Sequence, residues 1–180
     1  MKPDSRENNH FVLMPLRTIG IGLFLSFFLS GPTDAMLRIE SDTGGSMGEY
    51  LLWFARVRDS REEIMIDGNC YSACTLFTAL VPKTKVCITP RARLGFHATW
   101  YENKKGERFI SQAATQVLYE MYPPIIKKWI AKNGGLGSQM RILQGSELAS
   151  IYRYCNSSQS LGITRDRRGP AALTGDNPAN

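Results

Sequence analysis

The sequence predicts an α/β fold in which a parallel sheet is built from repeated β-α-β units and flanked by helices. Three observations carry that expectation. The strand-like run Leu37 to Ser41, the amphipathic stretch Ser46 to Asp59 and the run Glu63 to Ile66 make one β-α-β crossover. Its two strands should be parallel and its connection right-handed. A strand-to-helix turn follows at Asp67-Gly68-Asn69, where a small-residue run opens at Ser72. Two more short strands, Val86 to Ile88 and Leu94 to Phe96, are parted by Thr89-Pro90 and are available to extend the sheet.

In chain order, residues 1 to 13 are polar and unpatterned. Arg17 then precedes the apolar run Ile19 to Leu29, Ser30-Gly31-Pro32 breaks it, and Ala35 offers a small residue for cleavage. That pattern is a secretory signal peptide, because the run is short for a bilayer span; an uncleaved anchor is the alternative. Residues 1 to 35 are therefore assigned to an N-terminal extension and signal. Export to a periplasmic or secreted location is expected, with membrane contact only through that segment. The remainder is long enough for one domain with its own core, and 43% hydrophobic with 21% charged residues is a globular composition. The formal charge of +6 falls wholly after residue 35, since Lys2, Arg6 and Arg17 are cancelled by Asp4, Glu7 and Asp34. These bases form only short clusters without aromatic interleaving, which argues against nucleic acid as a partner.

Within the first crossover, Met47, Tyr50, Leu51, Phe54 and Val57 recur at helical spacing opposite Glu49, Arg56 and Asp59, with Ser46 as the expected cap. Helical character is expected from Ser72 to about Leu80, where Pro82 stops it, and a loop or hairpin from Trp100 to Arg108. Ser111 to Tyr122 has helical spacing, and Pro123-Pro124 leads into a second helix from Ile125 to Lys132. A last helix is expected from Ser146 to about Tyr154. The Gly-, Pro-, Ser- and Asn-rich segment 156–180 reads as a disordered tail. There is no internal repeat.

The chemistry concentrates between Asp67 and His97. A serine at the start of a helix that follows a strand meets the helix's free N–H groups, which suits a nucleophile needing a stabilised oxyanion. It is also a favoured cap without any chemistry. His97 lies 25 residues beyond Ser72 and is the one histidine after the signal, so a serine needing an imidazole base has one candidate. Gly44-Gly45 closes the first strand, where a tight turn with positive φ alone would explain both glycines. Cys70-Tyr71-Ser72-Ala73-Cys74 does not match the G-x-S-x-G elbow.

Three blocks in order, Thr43-Gly44-Gly45 after a strand, Gly68 to Thr75 around Ser72, and the strand pair Lys85 to Thr89 and Arg93 to His97, resemble the ClpP/crotonase superfamily. Within it they are most similar to divergent exported Clp-type serine peptidase-like proteins with a Cys-x-Ser-Ala-Cys-Thr signature. The resemblance is good over about 36 to 97, and it assigns 36–155 to a ClpP/crotonase-like domain. It implies a serine hydrolase, a peptidase acting on peptide or protein substrates without cofactor or metal. Ser72 would attack and His97 act as base, while the N–H of Gly44 or Gly45, with Gly45 preferred, and that of Ala73 would form the oxyanion hole. The chain departs from the family twice. The family's acid position falls near Gln139 or Met140, neither a carboxylate, leaving Glu147, Glu102 and Glu120 as substitutes; and the strand-helix unit that usually precedes the Gly-Gly strand is replaced by the signal. The fold is thus expected to be truncated at its N-terminus, and assembly into homo-oligomers is left open. From another class comes the alternative of a catalytically inactive member of the fold that binds a peptide or an envelope protein.

Four cysteines follow the signal: Cys70, Cys74, Cys87 and Cys155. In an oxidising compartment an even count points to disulfides, with three connectivities. Cys70 to Cys87 is the favoured pair, because Cys87 is expected on the strand beside the one Cys70 ends. Cys70 and Cys74 in C-x3-C spacing fit neither the C-x-x-C redox motif nor a zinc knuckle.

Overall fold

The protein is seen here in a computed structural model that describes residues 36–156 and 164–165. The extension and signal expected over 1–35, and the tail apart from Asn156, Thr164 and Arg165, lie outside the described residues. β1 (Met36–Asp42), α1 (Met47–Asp59) and β2 (Glu63–Tyr71) form the expected crossover, and β1 and β2 are parallel. Tyr50, Phe54 and Val57 are the buried residues of α1, so the apolar stripe read from the sequence does face the sheet.

β2 runs on to Tyr71, past the expected turn at Asp67-Gly68-Asn69. A bulge makes this possible: the register with β1 shifts between Ile39 and Ser41, so Glu40 faces two residues of β2. A Cβ on Gly68 would stand 1.9 Å from the Glu40 carbonyl oxygen, which is why glycine is required there. At the same place the sheet forks. Ile64 to Ile66 pair with β3 (Val86–Ile88), whereas Asn69 to Tyr71 pair with β4 (Arg93–Phe96), both parallel.

Asp67 sits at the fork, nearly fully buried, and accepts from Thr89 Oγ1 at 2.7 Å, from Arg91 Nε and Nη2, and from Arg38. Burial pushes its carboxyl up, but the hydrogen bonds from Arg91, Thr89 and Arg38 outweigh that and hold it below the usual carboxylate range.

After β4 come a hairpin of β5 (Trp100–Glu102) and β6 (Arg108–Ile110), then α3 (Gln112–Met121) and α4 (Pro124–Lys132). Ser111 caps α3 by accepting from Ala114 N–H, and Pro124 opens α4 at its first position, the latter as the sequence predicts. β7 (Arg141–Gln144) pairs antiparallel with β4, making the sheet mixed rather than wholly parallel. The last helix is shorter than expected: α5 (Gly145–Ala149) ends where Ile151 turns the chain into β8 (Arg153–Tyr154), which pairs with β3. β9 (Thr164–Arg165) pairs with Met36 and Leu37, so the sheet recruits two residues of the segment expected to be tail. The main sheet is ordered β7-β4-β2-β1-β9, with β3 and β8 branching from β2.

The disulfides are Cys70–Cys74 and Cys87–Cys155, which corrects the expected Cys70–Cys87 pair. The fork is the reason. Cys87 stands opposite Met65, five residues before Cys70 on β2, and Cys70 stands opposite Leu94 on the other branch. Five residues of strand span about 16 Å, far beyond disulfide reach. The two also lie in different apolar clusters, Cys87 with Met36 and Met65, Cys70 with Leu94 and Phe96.

Candidate active site

β1 and β2 deliver their carboxyl ends side by side, Asp42 pairing with Cys70. The chain leaving β1 turns at Gly44, whose φ of +82° an L side chain rarely adopts. The turn packs directly on the serine. A Cβ at Gly44 would stand 2.6 Å from Ser72 Cβ, 2.6 Å from the Tyr71 carbonyl oxygen and 2.8 Å from Ala73 N. Asp42 fixes this turn: its Oδ1 accepts from Gly44 N–H at 2.8 Å and from the Tyr50 hydroxyl at 2.5 Å. Burial and that hydrogen bond push the Tyr50 phenol well above its ordinary value, so it stays a donor.

Ser72 begins not an α-helix but a 3-10 turn, Ser72–Leu76, that passes into a short helix at Phe77. Its φ is +56°, and it is the one non-glycine residue with positive φ among the described residues. Such a position sets the side chain off the course of both the strand and the helix, and strained residues of this kind cluster at functional sites. Thr75 Oγ1 donates to the Ser72 carbonyl at 2.7 Å and therefore accepts from the Tyr122 hydroxyl, also at 2.7 Å. Since Ala73 is in the first turn, its N–H has no partner within the helix. Gly45 N–H has no protein partner among the described residues, whereas Gly44 N–H is committed to Asp42. Of the two glycines, Gly45 is thus the one with a free donor.

His97 follows β4 directly. Phe96 before it is fully buried against Tyr122 and Trp129, and Ala98 after it donates to the Gly137 carbonyl. Its Nδ1 lies 2.6 Å from the Ala98 carbonyl oxygen. A carbonyl only accepts, so Nδ1 carries the proton and Nε2 is left as the basic nitrogen. No carboxylate bonds to the ring among the described residues. Glu147 instead accepts from the Trp129 indole N–H at 3.1 Å, Glu120 binds Lys127, and Glu102 pairs with Arg108 on the hairpin.

Ser72 and His97 line one cavity of about 660 Å³ with Gly44, Gly45, Trp100 and Arg108. They are not hydrogen-bonded to each other. A second recess of about 350 Å³ shares His97, Trp100 and Arg108 with it and is floored by Phe109, Ile110 and Met140. Arg108 lies over the Trp100 ring at 4.1 Å, at the border of the two. Trp100 and Arg108 carry no motif and were not to be found from sequence, whereas Thr75 closes the Cys-x-Ser-Ala-Cys-Thr block without its hydrogen bonds being readable there. Asp42 was to be found: aspartate two residues ahead of a turn glycine is the signature of an Asx-turn. Among the described residues no group of three or more His, Cys, Asp or Glu side chains could hold a metal ion. No protein-family profile matches the chain, and no curated protein matches it significantly.

Proposed function

We propose that the protein is an exported serine hydrolase of the ClpP/crotonase-like kind, a peptidase in which Ser72 is the nucleophile. The observation that carries this reading is the left-handed backbone of Ser72 at the mouth of a cavity it shares with His97, with the Gly44-Gly45 turn packed against its Cβ. In this reaction Ser72 Oγ attacks the substrate carbonyl carbon and its proton passes to His97 Nε2. The N–H groups of Gly45 and Ala73 receive the oxyanion. Collapse of the tetrahedral intermediate expels the amine, which takes the proton from His97, and water repeats the cycle to free Ser72. The Ala98 carbonyl takes the place of the usual acid in holding the imidazole tautomer. Being neutral, it stabilises the imidazolium less than a carboxylate would, so turnover is slow. The two disulfides are consistent with an oxidising, extracytoplasmic location, and among the described residues no helix is long and apolar enough to cross a membrane.

One observation favours the alternative, a catalytically inactive peptide-binding module: no hydrogen bond joins Ser72 to His97, and no acid joins His97. Catalytic hydrogen bonds are often long before substrate binds, so the hydrolase reading stands first. A fluorophosphonate probe decides between them. It labels the wild type slowly, Ser72→Ala not at all and His97→Ala more slowly than wild type. Equal labelling of wild type and Ser72→Ala would sink the assignment, and silence of the folded wild type would leave the binding module.

A further inference from the structure

The Cys70–Cys74 disulfide closes a ring around Ser72. Cys70 is the penultimate residue of β2 and Cys74 the third residue of the 3-10 turn, with Tyr71, Ser72 and Ala73 between them. Four steps along a strand would carry the Cα about 13 Å. Here the two Cα atoms are 5.3 Å apart. The chain must therefore reverse within three residues, and the residue that turns is Ser72, at φ +56°.

An L residue left to itself returns to negative φ. With Ser72 in the β region the strand would run on, and Cys74 would leave Cys70. The bond and an extended Ser72 backbone exclude one another. The other contacts on Ser72, from Thr75 and Gly44, both require that the turn has already formed. Both bonded cysteines are fully buried. Cys87–Cys155 differs, joining β3 to the residue after β8, elements that contribute nothing to the lining of the cavity.

We propose that Cys70 and Cys74 are positioning residues, and that their disulfide holds Ser72 in its left-handed backbone so that Oγ enters the cavity. This rests on the reading of Ser72 as nucleophile in its consequence for activity, but not in its statement about the backbone. The test therefore has two readouts. Wild type, C70A/C74A and C87A/C155A are compared by fluorophosphonate labelling over a series of probe concentrations, and by the Cα and Cβ chemical shifts of Ser72.

In C70A/C74A the maximal labelling rate falls roughly ten- to hundredfold, the scale of a released backbone strain. The probe concentration for half-maximal rate is unchanged, and the Ser72 shifts move from left-handed to extended values. C87A/C155A labels within about threefold of wild type and keeps the wild-type shifts, although its loop is much the larger and its melting temperature falls more. Left-handed shifts retained in C70A/C74A would overturn the proposal, and so would labelling lost in both double variants in step with their melting temperatures. A wild type that does not label, with Ser72 shifts that still move in C70A/C74A, removes the hydrolase reading and keeps the positioning role. Should C70A/C74A not fold, the same readouts on C87A/C155A reduced with dithiothreitol and then reoxidised replace it. Reversible loss of the left-handed shifts supports the proposal, and unfolding on reduction assigns the bond to the core and overturns it.

Discussion

Replacing Gly44 by alanine tests whether the glycine turn is built for the serine or merely for itself. Two costs fall on Gly44→Ala. The first is conformational: at φ +82° a Cβ costs about 1–2 kcal/mol. The second is steric, because three atoms of Tyr71, Ser72 and Ala73 lie within 2.8 Å of the new methyl, all backbone or Cβ and none the end of a flexible side chain. Overpacking of this kind adds roughly 1–3 kcal/mol. Gly135→Ala separates the two. Gly135 has φ +76° and nothing within 4 Å of its would-be Cβ, so it carries the first cost alone. Denaturant unfolding should therefore show Gly135→Ala losing about 1–2 kcal/mol and Gly44→Ala about 2–5 kcal/mol. Relief of the 2.6 Å contact to an ordinary 3.4 Å displaces the Ser72 Cβ or the turn by on the order of 0.8 Å. A displacement of that size costs a nucleophile roughly ten- to hundredfold in labelling rate. Gly135→Ala should label as wild type. If Gly44→Ala unfolds like Gly135→Ala and labels at the wild-type rate, the turn does not crowd the serine and the account of the site fails.

The fork predicts an acid-sensitive element. Because Asp67 is held below the usual carboxylate range, its contribution is present above the unfolded value near 4 and is lost as pH falls through its lower folded value. Asp67→Asn should cost roughly 2–3 kcal/mol near neutrality and flatten the loss of stability in acid; an unchanged acid limb would refute this. At the other end of the scale, burial pushes the phenols of Tyr50, Tyr122 and Tyr152 up. Stability contributed by a raised phenol is complete below pH 10 and falls above it, so three tyrosines should ionise only as the fold opens, read as a step in absorbance near 295 nm.

The elements that sequence made legible are those specified by neighbours along the chain. The stripe Tyr50, Phe54 and Val57, the helix after Ser111, the Pro124 start and the strands holding Cys87 and Leu94 all fall where periodicity or a breaker puts them. What eluded it depends on pairing across space. A strand that changes partner midway, as β2 does at Asp67, looks the same in sequence as one that does not, and the cysteine pairing follows from that change. β7 is four residues with no alternation to announce it, and its direction is set by docking on β4. At the site, the juxtaposition of Ser72, His97 and Gly44-Gly45 was expected, and they do line one cavity. The Ala98 carbonyl at His97 Nδ1 was beyond reach, because a backbone acceptor leaves no residue type to recognise.

The Cys87–Cys155 bond has a mechanical consequence. With a sequence separation of 68, it short-circuits the chain between those residues, so tension applied at the two termini passes from β3 directly to the end of β8. About 230 Å of contour is hidden from the load. His97, the hairpin, α3 and α4 all belong to that slack segment, while Ser72 lies on the part that bears force. The serine and the histidine thus lie on opposite sides of the load path, joined through the β2–β4 pairing and the core the two parts share.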